Sequence, residues 1–182
     1  MTTHRVWVYG DNVNTDVIFP GKYTYTLQTQ EDIRQHALED LDPNFAKQVQ
    51  PGDVIVAGAN WGCGSSREQG VTSIKWSGVR MIIADSFSGL YFRNCINQGV
   101  HPVVIPGLAS RLKTGDTITV EGDAITVGGE RFPIPVLSSS VRAILDAGGL
   151  VPMLQTRFKQ PHPPTPSPKG EGETNAGSGG EA

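Results

Sequence analysis

Asn60-Trp61-Gly62-Cys63-Gly64-Ser65-Ser66-Arg67-Glu68-Gln69 stands between an apolar run, Val54-Ile55-Val56-Ala57, and a segment from Glu68 to Ser77 that reads as a helix. A short apolar run bounded by turn residues reads as a buried strand. The unit is therefore strand, Gly-rich turn, helix. Such a turn leaves backbone N–H groups unpaired at the helix start, aimed at whatever sits there. Two hydroxyls, Ser65 and Ser66, and the Arg67 guanidinium occupy that spot. The set suits a carboxylate ligand and a deprotonated oxygen. A plainer reading is a capped helix, since Ser is a favoured N-cap and Gly is common in turns. Gly62, Cys63, Gly64 and Glu68 in the same ten residues weigh against a cap alone.

Outward from this unit the chain alternates. Arg5–Tyr9 reads as a first strand and residues 10–16 as a polar loop. Ile33, Ala37 and Leu41 have helical spacing within 30–40. Val79–Ala84 reads as a strand, with Asp85-Ser86 as N-cap of a helix through about Gln98. Val103–Ile105 is the next strand, so the order is α/β with some parallel pairing. Between Gly115 and Pro135, three short alternating runs separated by Gly122-Asp123 and Gly128-Gly129 predict an antiparallel meander. Ser138 to Ser140 then cap a helix over 141–147. Residues 1–158 form the expected domain, long enough to bury a core. Residues 159–182 hold five of the 13 prolines and no apolar period, which predicts a disordered tail.

A net charge of −3 gives no electrostatic case for a nucleic-acid partner. No apolar run approaches the roughly 18 residues of a membrane span, and Met1–Trp7 lacks a signal-peptide core. The cytoplasm is the expected compartment. Cys63 and Cys95 are too few for an iron–sulfur cluster and lack Cys-x-x-Cys spacing. His4, His36, His101 and His162 make no metal pattern.

Three stretches carry a family resemblance: Gly10 to Asp16, Asn60 to Gln69, and Asp85-Ser86-Phe87 with Phe92-Arg93-Asn94-Cys95-Ile96-Asn97-Gln98-Gly99. Ala147 to Leu150 also fits. With them the chain resembles the small subunits of 3-isopropylmalate dehydratases, separate-chain equivalents of the aconitase swivelling domain. The resemblance implies a swivelling β/β/α fold, a mixed sheet or small barrel flanked by helices. It implies a hydro-lyase acting on a small hydroxy acid, active only with a large subunit that carries a [4Fe–4S] cluster. It assigns Ser65 as base and Asp16 as an orienting or proton-relay group. Without it, Asp16 reads equally as an Asx-turn residue. Ser66 and Arg67 would bind substrate, Arg67 through a two-oxygen fork. Gly62, Cys63, Gly64, Glu68 and Arg93 would support the loop, with Arg93 bracing it.

The substrate loop departs from the family pattern. Isopropylmalate-specific members read Tyr-Leu-Arg-Thr where this chain has Tyr23-Thr24-Tyr25-Thr26. A phenol cannot replace a guanidinium fork. Lys22 or a partner residue would then hold that carboxylate, or the substrate differs: homoaconitate, dimethylmalate or a citramalate-type acid. A non-catalytic module with the same fold is the reading of another class; intact Ser65, Ser66, Arg67 and Asp16 argue against it.

Overall fold

The structure, a computed structural model, describes residues 1–159. Four parallel strands, β1 (Thr2–Tyr9), β2 (Val54–Ala57), β3 (Met81–Ala84) and β4 (His101–Val104), form one half of a sheet. Three antiparallel strands, β5 (Thr117–Glu121), β6 (Ala124–Val127) and β7 (Glu130–Pro133), extend it beyond β1. The order is β4-β3-β2-β1-β5-β6-β7. This is the expected mixed sheet flanked by helices, and the meander lies where its Gly-rich turns predict.

All four residues of β2 are buried, because both faces of the sheet are covered. On one face Trp7, Ile55 and Ile82 pack against helices α4 (Gln69–Trp76) and α5 (Gly89–Gln98) through Val71, Ile74, Tyr91 and Cys95. On the other face Val6, Val56, Ile83 and Val103 share a core with Ile118 and Ile125 of the meander. Strands of one sheet can share that second core only if the sheet curls over its own inner face.

Several elements differ from the sequence reading. The loop after β1 contains a one-turn helix, α1 (Thr15–Ile18), capped by Asn14. The helix expected over 30–40 is α2 (Gln30–Gln35) only. Leu38 takes φ +58, donates its N–H to Ile18 O (2.8 Å) and is fully buried, so tertiary packing draws the chain out of the helix. Leu41 is 39% exposed, and Leu38 fills the core in its stead. A further turn, α3 (Phe45–Gln48), precedes β2.

Asp85 and Ser86 do not cap α5, whose N-cap is Ser88. Asp85 Oδ1 instead accepts from Gly107 N–H and Ser86 Oγ from Asn60 N–H, so both hold neighbouring loops. After α6 (Ser139–Asp146), capped by Ser138 as expected, an unforeseen helix α7 (Leu150–Lys159) follows. Lys159 is thus helical rather than the first tail residue. The rest of the expected tail lies outside the described residues.

Candidate active site

The loops that follow β1, β2 and β3 meet at the C-terminal ends of those strands, the end where parallel sheets usually bind ligands. Backbone bonds stitch them together. Gly62 N–H donates to Val13 O (2.8 Å) and Thr15 N–H to Cys63 O (2.7 Å). Trp61 N–H donates to Ser86 O (3.0 Å), and Ser88 N–H to Trp61 O (2.9 Å). From α5, Asn94 Nδ2 donates to Ser66 O (3.0 Å).

The two glycines of the turn are steric requirements. Gly62 sits at φ +74, and a Cβ there would collide with the Tyr91 ring. Gly64 sits at φ +106, where a Cβ would lie 2.5 Å from Asn14 Oδ1. Tyr91 is itself buried, and its hydroxyl donates to Gly70 O (2.8 Å), fixing the start of α4.

Ser65 is half-buried. Its N–H donates to Thr15 Oγ1 (2.8 Å), and its Oγ accepts from Arg67 N–H (3.3 Å). Neither serine caps α4. The helix begins at Gln69, with Glu68 at the N-cap making no side-chain cap bond. The capped-helix reading is thereby overturned, and the helix expected from Glu68 starts one residue later. Bonds to Thr15 and Asn94 keep the turn out of the helix through Arg67. The helix dipole fades beyond the terminal turn, so stabilisation of charge at Ser65 falls to the turn's own N–H groups. Among the described residues, the N–H groups of Gly64 and Ser66 find no acceptor.

Arg67 joins this turn to the first loop. Its Nη2 forms an ion pair with Asp16, and its Nη1 donates to Thr24 Oγ1 (3.1 Å). The guanidinium rests against Gly21, where a Cβ would strike Nη1. Arg67 is half-buried and Asp16 exposed. Tyr23 packs on His36, ring centroids 4.0 Å apart, and Thr26 Oγ1 donates to Tyr23 O (3.4 Å). Tyr25 is 91% exposed and touches none of this. Within Tyr23–Thr26, Thr24 is the residue that reaches Arg67. Lys22 is engaged with Glu39 (3.0 Å) and lies over the Tyr23 ring, so it is no ready substitute for an absent arginine.

Arg93 does not brace the turn. It is exposed and donates to Gly89 O of its own helix (3.2 Å), one position along from the Asn94 that does the bracing. Thr15, Asn14, Gly21 and Asn94 are site-building residues to which the sequence reading gives no role. The Asn14-Thr15-Asp16 string could have flagged Thr15; nothing local marks Gly21.

An iron–sulfur cluster finds no ligand set among the described residues. Burial pushes the Cys95 thiol's pKa up, opposing the thiolate a metal requires. Among the described residues no three His, Cys, Asp or Glu side chains gather as a metal site. No described helix is long and apolar enough to cross a membrane.

Residues 11–108, more than half the chain and all three converging loops, match the family model of the aconitase C-terminal domain. The chain belongs to this family. Among its aconitase-family relatives, the 3-isopropylmalate dehydratase small subunit of Lachnospira eligens is 46% identical over 81% of this chain and 90% of its own. The methanogen homoaconitase small subunit of Methanocaldococcus jannaschii is 41% identical, over 84% of this chain and 91% of its own. The isopropylmalate/citramalate isomerase small subunit of the same organism is 37% identical, over 86% and 95%. The crystal structure of a Methanocaldococcus jannaschii 3-isopropylmalate dehydratase superposes with a TM-score of 0.80 at 38% identity, covering 86% of this chain and 95% of that one.

Proposed function

We propose that the chain is the small subunit of a [4Fe–4S]-dependent hydro-lyase. The enzyme isomerises a hydroxy di- or tricarboxylic acid by removing and re-adding water. The substrate pair is 3-isopropylmalate and 2-isopropylmalate, in leucine biosynthesis in the cytoplasm. The cluster belongs to a large-subunit partner, and no step of the chemistry on this chain runs through it. The observation that carries the reading is the meeting of Ser65, Arg67 and Asp16, with the Ser65 hydroxyl free of any capping duty.

On this chain the work is proton transfer and anchoring. Dehydration begins with loss of a proton beside a carboxylate, and Ser65 Oγ accepts it as the base. An alkoxide is costly, and N–H donors aimed at that oxygen lower the cost. Arg67 N–H already points there. Arg67 has five side-chain N–H donors. Asp16 and Thr24 each accept one, which leaves donors for a substrate carboxylate. Asp16 holds the guanidinium plane in register through its ion pair with Arg67.

A second reading keeps the chemistry and changes the acid to homoaconitate or a citramalate- or dimethylmalate-type acid. Thr24 favours it: a hydroxyl committed to Arg67 offers little to an isopropyl group. The test is coexpression with a large subunit, anaerobic cluster reconstitution, and hydration assays across unsaturated diacids. Fastest turnover of isopropylmaleate supports the leucine-pathway role. Preference for another diacid supports the second reading. No turnover by the wild type on any acid, matched by Ser65→Ala, refutes both and leaves a non-catalytic module.

A further inference from the structure

At the N-terminal ends of the parallel strands, the opposite end of the sheet from Ser65, lies a cavity of about 690 Å³. Small-molecule sites span roughly 300–1,000 Å³. Val54, Met81 and His101, the first residues of β2, β3 and β4, line it, with Lys75 from the end of α4, Arg80, and Leu145 from the end of α6.

In this cavity, unpaired cations outnumber unpaired acids two to one. Lys75 and Arg80 bring two cations, and among the described residues neither forms an ion pair. Lys75 Nζ meets the Gly148 carbonyl at 3.3 Å. Burial, and then the charge of Arg80, lowers the Lys75 pKa, as expected of cations that share a cavity without a counter-ion. Asp53 also lines the cavity, but Arg5 at 2.5 Å already neutralises it. Asp146 is exposed at the rim. His101 is held toward its neutral form by burial and then by Arg142.

We propose that this cavity binds a small aliphatic monocarboxylate, its carboxylate between Lys75 and Arg80 and its chain against Met81 and Leu145. Two unpaired cations select an anion. The apolar wall selects a hydrocarbon chain over phosphate, which would leave that wall in water. Asp146 repels a second negative group, which excludes the dicarboxylic substrates of the opposite end. The site stands independently of the proposed hydro-lyase activity.

NMR titration of the full chain with 4-methylpentanoate tests it, with L-leucine as a second arm. The expected result is saturable shifts at Val54, Met81 and His101, with Ser65–Arg67 unmoved. Lys75→Met keeps the aliphatic stem and should weaken binding about tenfold or more, as should Arg80→Met at an exposed position. Binding of 4-methylpentanoate alone identifies a simple acid. Binding of L-leucine as well, weakened by Asp146→Asn, identifies an amino acid; both results support the site. Shifts confined to residues 60–69 overturn it. So does affinity unchanged in both methionine variants, or no saturation of either probe below about 10 mM.

Discussion

The Arg67 guanidinium rests on the bare Cα of Gly21, with Thr24 on one nitrogen and Asp16 on the other. Gly21 has an ordinary backbone conformation, so Gly21→Ala introduces a methyl without backbone strain. That methyl meets the end of a flexible side chain, which can swing away. The variant should therefore melt within about 0.5 kcal/mol of wild type, as surface changes do. Its kcat/KM should fall up to about 10²-fold, because the proposed carboxylate anchor is displaced by roughly 1 Å. Thr24→Val should raise KM and Thr24→Ser should restore it; equal behaviour of the two would show that the hydroxyl is not what seats Arg67. Ser65→Ala removes the proposed base and should lower kcat roughly 10²- to 10⁴-fold with melting unchanged, measured in the reconstituted enzyme. The sequence discloses Ser65, Ser66, Arg67 and Asp16 because hydroxyl, guanidinium and carboxylate advertise their chemistry. It hides Gly21 and Asn94, whose roles exist only once α5 and the turn before Tyr23 come within reach of residues 65–67.

The C-terminus of α5 meets the double glycine before α7. Gly99 closes α5 at φ +74, and a Cβ on it would collide with the Gly148 backbone. Gly149 sits at φ +129, with its would-be Cβ 2.6 Å from Asn97 O. Backbone lies against backbone here, so neither side can yield as a side chain does. Gly149→Ala should destabilise by about 2–5 kcal/mol, the sum of a left-handed penalty and an overpacking cost. Urea denaturation would check it; a loss below about 1 kcal/mol would mean that the two elements separate easily. In a sequence, a glycine pair after a helix marks only a stop; that it is also a packing surface shows once α5 lies against it. Strands fared better because alternation and turn glycines are local signals: β2 and the meander were readable from their own residues. Helix α2 was misjudged because its end is set by Leu38, whose burial against the loop after β1 no local pattern announces.

The two ends of the sheet do different work across the whole molecule. At the C-terminal end the loops gather the polar groups of the proposed active site; at the N-terminal end Asp53 binds the strands together. It accepts from Arg5 (2.5 Å), from Trp7 Nε1 (2.8 Å) and from Gln50 N–H (2.9 Å), tying β1 to the turn before β2. Burial alone would raise its pKa, but these donors outweigh burial and hold it below the ordinary value of 3.8. The unfolded chain therefore takes up this proton at a higher pH than the native one does. The stabilisation is complete above the unfolded value of 3.8 and disappears as pH falls through the lower native value. Urea midpoints followed by tryptophan fluorescence should hold steady near neutrality and drop as pH falls below about 4. Asp53→Asn cannot titrate. At neutral pH it should be less stable by about 1–3 kcal/mol, since a charged acceptor of three donors is lost. Below about pH 4 its midpoint should fall less steeply than that of wild type. Parallel acid curves for the two proteins would assign the acid sensitivity to other carboxylates and reduce Asp53 to a packing role.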